Sequence, residues 1–135
     1  MRVTIVGGGL QGVELCWLAR KAGWGTLLVD ERPAPPALRL ADAFAQCDVT
    51  KLGGSGVLTR KVEHQILGTD IVIPALENAA ALAALDGWCT RKGVLFAFDP
   101  FAYAVTSSKL RSRRIVPAGL CLRLDVVAQG FFQVD

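Results

Sequence analysis

The feature that most constrains this chain is its first thirty residues. Arg2-Val3-Thr4-Ile5-Val6 is a β-branched run that stops at Gly7-Gly8-Gly9, as a strand buried on both faces does. From Leu10 to Ala22 the pattern turns helical, with Leu15, Leu18, Ala19 and Ala22 sharing one face and Gly23 as the stop. Thr26-Leu27-Leu28-Val29 is a second apolar strand ending at Asp30. Two short strands joined through a helix pair in parallel by a right-handed crossover, which is the βαβ unit. The expected class is therefore α/β: a Rossmann-like open parallel sheet of about five strands with helices on both faces.

Further along, Pro33, Pro35 and Pro36 remove amide donors and fix φ, so an extended loop is expected there, with one helical turn over 38–42. Ala43 to Val49 reads as a short third strand, and Gly53-Gly54-Ser55-Gly56 as a mobile surface loop. Val57 to Leu67 reads as a helix and Asp70-Ile71-Val72-Ile73-Pro74 as a fourth strand. Asn78 is placed to cap a helix that runs to about Lys92, burying Ala81, Ala84, Leu85 and Trp88 and ending at Gly93. Val94 to Phe98 reads as a fifth strand and Ala102 to Arg114 as a helix that turns basic. Leu120 to Val134 alternates like a terminal hairpin or forms a tail.

With 135 residues, 52% hydrophobic and 20% charged, the chain has enough apolar content to fold as a globule. Its apolar runs are too short to cross a bilayer, and no cleavable leader is visible. The net charge of +3 is too small to argue for nucleic acid. Cys16, Cys47, Cys89 and Cys121 are scattered without a C-x-x-C pair, so reduced thiols in a cytoplasmic protein are expected rather than disulfides or a metal centre.

Gly7-Gly8-Gly9-Leu10-Gln11-Gly12 has the G-x-G-x-x-G form directly between a strand and a helix. Such a turn lets a ligand approach the backbone and presents helix N–H groups to an anion, or it only permits tight strand-to-helix packing. Asp30 stands where an acid would bind the ribose of a dinucleotide, which makes NAD(P) one candidate cofactor. Glu77 and Asn78 follow the fourth strand at the sheet edge where ligands bind; there a carboxylate would hold an ammonium group, or the pair would only serve the helix N-terminus. His64 has no catalytic partner in readable spacing and reads as a surface residue. Lys109, Arg111, Arg113 and Arg114 would face phosphate or nucleic acid, or form a solvated helix face, the usual explanation for such a run.

The order of these motifs resembles one family. Val6 to Gly12, Val29-Asp30, the Pro-Ala segment through Ala41-Asp42-Ala43-Phe44 to Cys47-Asp48-Val49, then Ile73-Pro74-Ala75-Leu76-Glu77-Asn78, Phe98-Asp99 and Ser107-Ser108-Lys109-Leu110 are similar to the N-terminal domain of ATP-grasp ligases. The likeness points to the pyrrolysine-pathway type, which joins two amino acids through an acyl phosphate made with ATP and magnesium. It implies a pre-ATP-grasp domain over 1–106 and the start of an ATP-grasp region over 107–135. Gly9, Leu10, Gln11 and Gly12 would then line the ligand-facing turn, Glu77 would touch the amino-acid substrate, and Lys109 would contact nucleotide. Little follows Lys109, so the resemblance implies a chain without catalysis of its own whose ATP-clamping portion is missing or separate. The alternative is an NAD(P)-binding domain of an oxidoreductase or regulator; oligomeric state stays open.

Overall fold

The computed structural model describes residues 1–107 of the chain. Those residues run β1 (Arg2–Val6), α1 (Leu10–Lys21), β2 (Gly25–Asp30), a 3₁₀ turn (Pro36–Leu40), β3 (Ala43–Gln46), a second 3₁₀ turn (Val49–Lys51), α2 (Val57–Leu67), β4 (Ile71–Pro74), α3 (Ala79–Lys92) and α4 (Pro100–Thr106). The chain divides into a unit Met1–Phe98 and a second unit that opens at Asp99. Within that second unit α4 is capped by Asp99, whose carboxylate accepts from the Phe101 and Ala102 N–H groups.

The sheet of the first unit has the order β3-β2-β1-β4, and all three pairings are parallel, with Ile5 beside both Leu28 and Ile73. This is the α/β architecture expected from the opening βαβ pattern. β1 lies between two neighbours and is covered on both faces, so everything from Val3 to Val6 is buried. Buried Thr4 meets the Thr69 hydroxyl at 2.8 Å, which satisfies its polar atom. Beneath one face Val3, Ile5 and Leu28 pack with Cys16 and Ala19 of α1; on the other, Val6, Leu27, Val29 and Val72 pack with α2 and α3 through Val62, Ile66, Leu85 and Trp88. Each fully buried aliphatic side chain contributes about 2 kcal/mol of transfer free energy.

Three details depart from the sequence reading. The buried face of α1 is Gly12, Cys16 and Ala19, while Leu18 is exposed; small residues let this helix lie close on the sheet, and apolar periodicity alone favoured the larger ones. Val94–Phe98 is not a full strand: Phe96 makes one parallel bridge to Val72, and the Phe98 N–H turns back to the Phe96 carbonyl, a γ-turn that curls the chain off the sheet. The third strand ends at Gln46 because Asp48 caps the 3₁₀ turn that follows it. Asn78 and Gly93 do bound α3, Gly93 in the left-handed region at φ 68°. The basic helix end, Lys109 and the terminal hairpin or tail with Cys121 lie outside the described residues.

Candidate functional site

The chain passes outward through β1, β2 and β3, then returns to place β4 on the other side of β1. Loops leaving β1 and β4 therefore diverge, which opens a crevice at the carboxyl ends of the strands. A cavity of about 570 Å³ lies there, with walls from the ends of all four strands: Gly7 and Gly9 after β1, Asp30 to Arg32 after β2, Cys47 to Thr50 after β3, and Ala75, Leu76 and Asn78 after β4. Three backbone bonds extend the ladder to this rim: Gly7 N–H to Val29 O at 2.8 Å, Ala75 N–H to Val6 O at 2.7 Å, and Cys47 N–H to Asp30 O at 2.9 Å.

The four glycines of the first turn divide by what surrounds them. Gly7 has φ +102°, and a Cβ there would sit 2.6 Å from the Ala75 carbonyl oxygen. At Gly12 a Cβ would stand 2.1 Å from the Gly7 carbonyl oxygen, and at Gly8 it would stand 2.5 Å from the Pro35 ring. All three are needed for packing. Gly9 is different, because nothing lies within 4 Å of its would-be Cβ, so its bareness leaves backbone open beside the cavity it lines. Leu10 begins α1 with its side chain 77% exposed, and Gln11 donates from Nε2 to Glu77 Oε1 at 3.2 Å. That exposed bond joins the turn after β1 to the loop after β4.

Asp30 is 6% exposed and its carboxylate is fully engaged. Gly8 N–H donates to it at 2.6 Å, Arg32 N–H at 2.8 Å, Arg32 Nε at 2.9 Å and Arg32 Nη2 at 2.8 Å. Burial pushes its pKa up, but the hydrogen bonds from Arg32 and Gly8 with the guanidinium charge outweigh that and hold it at about 2. The proline loop closes over the same place, where Ala37 N–H donates to the Gly8 carbonyl at 3.1 Å. Thus both backbone groups of Gly8 and the carboxylate of Asp30 are spent on this chain's own structure.

Of the residues singled out in the sequence, Gly9, Asp30 and Asn78 line the cavity, while Gln11 and Glu77 bridge the two loops beside it. Asn78 Oδ1 accepts from Ala81 N–H at 3.1 Å, the cap of α3. Gly12 is buried beneath the turn, and His64 is exposed on α2. The sequence reading missed Arg32, Cys47, Asp48 and Thr50, which form the β2–β3 side of the crevice. Asp48 accepts from the Thr50 hydroxyl at 2.7 Å and pairs with Lys51 at 3.2 Å. The one signal for Arg32 was its position two residues after the acid at the end of β2. Cys16, Cys47 and Cys89 are free thiols, and burial raises all three, Cys89 to about 11 with Asp86 adding to the effect.

Among the described residues no group of three or more His, Cys, Asp or Glu side chains comes together to hold a metal ion. No helix among them is long and apolar enough to cross a membrane.

No family model matches the chain. In sequence it is 32% identical over 111 residues to the 3-methyl-D-ornithine–L-lysine ligase of Methanosarcina barkeri, a match to 82% of this chain and 29% of that protein. The enzyme of the same description from Methanosarcina mazei is 27% identical over the same share of this chain and 28% of its own length. Among solved structures, N5-carboxyaminoimidazole ribonucleotide synthetase from Thermotoga maritima superimposes with TM-score 0.61 at 20% identity, over 84% of this chain and 29% of that one. The Staphylococcus aureus synthetase complexed with ADP gives TM-score 0.61 at 19% identity, over 84% of this chain and 28% of that one. The chain thus spans under a third of the length of each of these proteins.

Proposed function

We propose that this chain, which is similar in sequence and in fold to the pre-ATP-grasp domain of ATP-grasp ligases, is the amino-acid-binding portion of an ATP-dependent carboxylate–amine ligase. Residues 1–106 form that portion, and 107–135 open the ATP-grasp region. By the likeness to the Methanosarcina barkeri enzyme, the reaction is amide formation between two amino acids, of the pyrrolysine-pathway type. Gly9, Leu10 and Gln11 make the lip over the substrate with Gly12 packed beneath it, Glu77 faces its ammonium group, Asn78 holds the loop that carries Glu77, and Lys109 meets the nucleotide.

ATP with magnesium, when bound, would activate a carboxylate as its acyl phosphate. Catalysis of this kind would use an ATP-grasp portion beyond the residues matched here. The described chain's own task is to bind and orient. Its free thiols suit work in the cytoplasm.

The observation that carries this reading over a dinucleotide is the state of Asp30. A dinucleotide site needs the acid at the end of the second strand for the ribose. Here Arg32 and the Gly8 N–H already fill the Asp30 carboxylate. The test pairs two titrations: calorimetry with D-ornithine and fluorescence with NADH. Saturable heat with D-ornithine that weakens in Glu77→Gln supports the reading. Micromolar NADH binding overturns it.

A further inference from the structure

Arg32 is the basic side chain in the crevice lining, and its geometry is unusual for a half-exposed arginine. A guanidinium offers two edges with paired donors, the side edge of Nε and one Nη and the end edge of both Nη groups. Asp30 takes the side edge through Nε at 2.9 Å and Nη2 at 2.8 Å. Asp30 is itself fixed by the Gly8 and Arg32 backbone N–H groups. The guanidinium is therefore held in one orientation before any ligand arrives, while its side chain remains 52% exposed. Nη1 makes no hydrogen bond among the described residues. A donor edge fixed in advance loses little conformational entropy when it binds.

The surrounding charges select among oxyanions. Glu31 and Asp48 also line the crevice, Asp48 paired with exposed Lys51, and Asp30 already balances Arg32. A free dianion would meet these carboxylates, whereas a molecule bearing ammonium groups beside one carboxylate complements both signs. We propose that Arg32 anchors the carboxylate of a diamino acid through its end edge, with the ammonium groups toward Glu31 and Asp48. This rests on the amino-acid-binding reading above and adds to it a carboxylate subsite on the β2–β3 side, apart from the Gly9 to Glu77 side.

The experiment is calorimetric titration of the 135-residue protein with D-ornithine, ornithinamide, putrescine and inorganic phosphate, repeated in Arg32→Gln and Arg32→Lys. The subsite requires ornithinamide and putrescine to bind the unaltered protein at least roughly tenfold more weakly than D-ornithine, the loss of one charge-assisted contact. Ornithinamide would do so despite its extra positive charge. Arg32→Gln should weaken D-ornithine by a similar factor and leave putrescine unchanged, and phosphate should bind more weakly than D-ornithine. Equal binding of D-ornithine and ornithinamide overturns the subsite while the amino-acid reading stands, and this comparison needs no variant to fold. Phosphate binding tighter than D-ornithine also overturns it. Absence of any diamino-acid binding overturns the amino-acid reading and the subsite together.

Discussion

The Gly8 backbone N–H donates to the Asp30 carboxylate at 2.6 Å, tying the turn after β1 to the end of β2. Arg32 closes the carboxylate from the other side. The acid that would meet a ribose in a dinucleotide site is thereby part of a structural clasp, and the open part of the turn is the motif's second glycine, Gly9.

The clasp makes stability depend on acid. Asp30 titrates at about 2 in the folded chain against an ordinary 3.8, so the unfolded chain binds the proton more readily. The stabilisation is complete above the unfolded value and is lost as pH falls through about 2. A gap of this size in a buried group corresponds to about 2 kcal/mol. Asp30→Asn should lower stability by about that much at pH 7 and flatten the fall between about pH 4 and 2, as urea melts at stepped pH would record. An unchanged acid limb would assign that limb to other carboxylates.

The glycines should separate in mutagenesis. Gly12→Ala and Gly7→Ala each drive a methyl into backbone and should cost about 3 kcal/mol or more, or prevent folding. Gly9→Ala meets nothing within 4 Å and should melt within about 0.5 kcal/mol of the unaltered protein, while it weakens D-ornithine binding. Thermal melts and calorimetry on the same samples provide both readings.

Asn78 caps α3 through its Oδ1, so Asn78→Ala should cost about 1 kcal/mol, and Asn78→Asp or Asn78→Ser should recover most of it. If the aspartate and serine variants restore stability yet not D-ornithine binding, the amide touches ligand as well as Ala81.

Cys47 lines the crevice half-buried, whereas Cys16 and Cys89 are buried in the two layers beside the sheet. Alkylation at pH 8 mapped by mass spectrometry should label Cys47 well before Cys16 or Cys89, and saturating D-ornithine should slow it. Equal rates at the three sites would mean that the sheet opens readily.

Much of this fold was legible because β1 and β2 are buried on both faces and read as nearly continuous apolar runs, and β4 is apolar along its length. The Asn78 and Gly93 caps announced α3 for the same kind of reason, since each supplies what a helix end lacks. The face of α1 was not legible: close approach to the sheet selects Gly12, Cys16 and Ala19, and hydrophobicity ranks them below Leu15 and Leu18. Nor was the β2–β3 side of the crevice, because the roles of Arg32 and Pro35 arise from their packing against Asp30 and Gly8, contacts between loops that periodicity does not encode. The glycine motif lies at the edge of the sheet where the cavity opens, but how tightly Gly7, Gly8 and Gly12 are packed depended on Ala75, Pro35 and the turn's own carbonyl.

The most direct measurement is an amide NMR titration of the labelled protein with D-ornithine and, separately, with NADH. With D-ornithine, saturable shifts should concentrate at Gly9 to Gly12, Arg32, Thr50 and Leu76 to Asn78, and NADH should leave these amides in place. Shifts at Gly7 to Gly9 and Asp30 that saturate with NADH, with none from D-ornithine, would contradict the account at its centre.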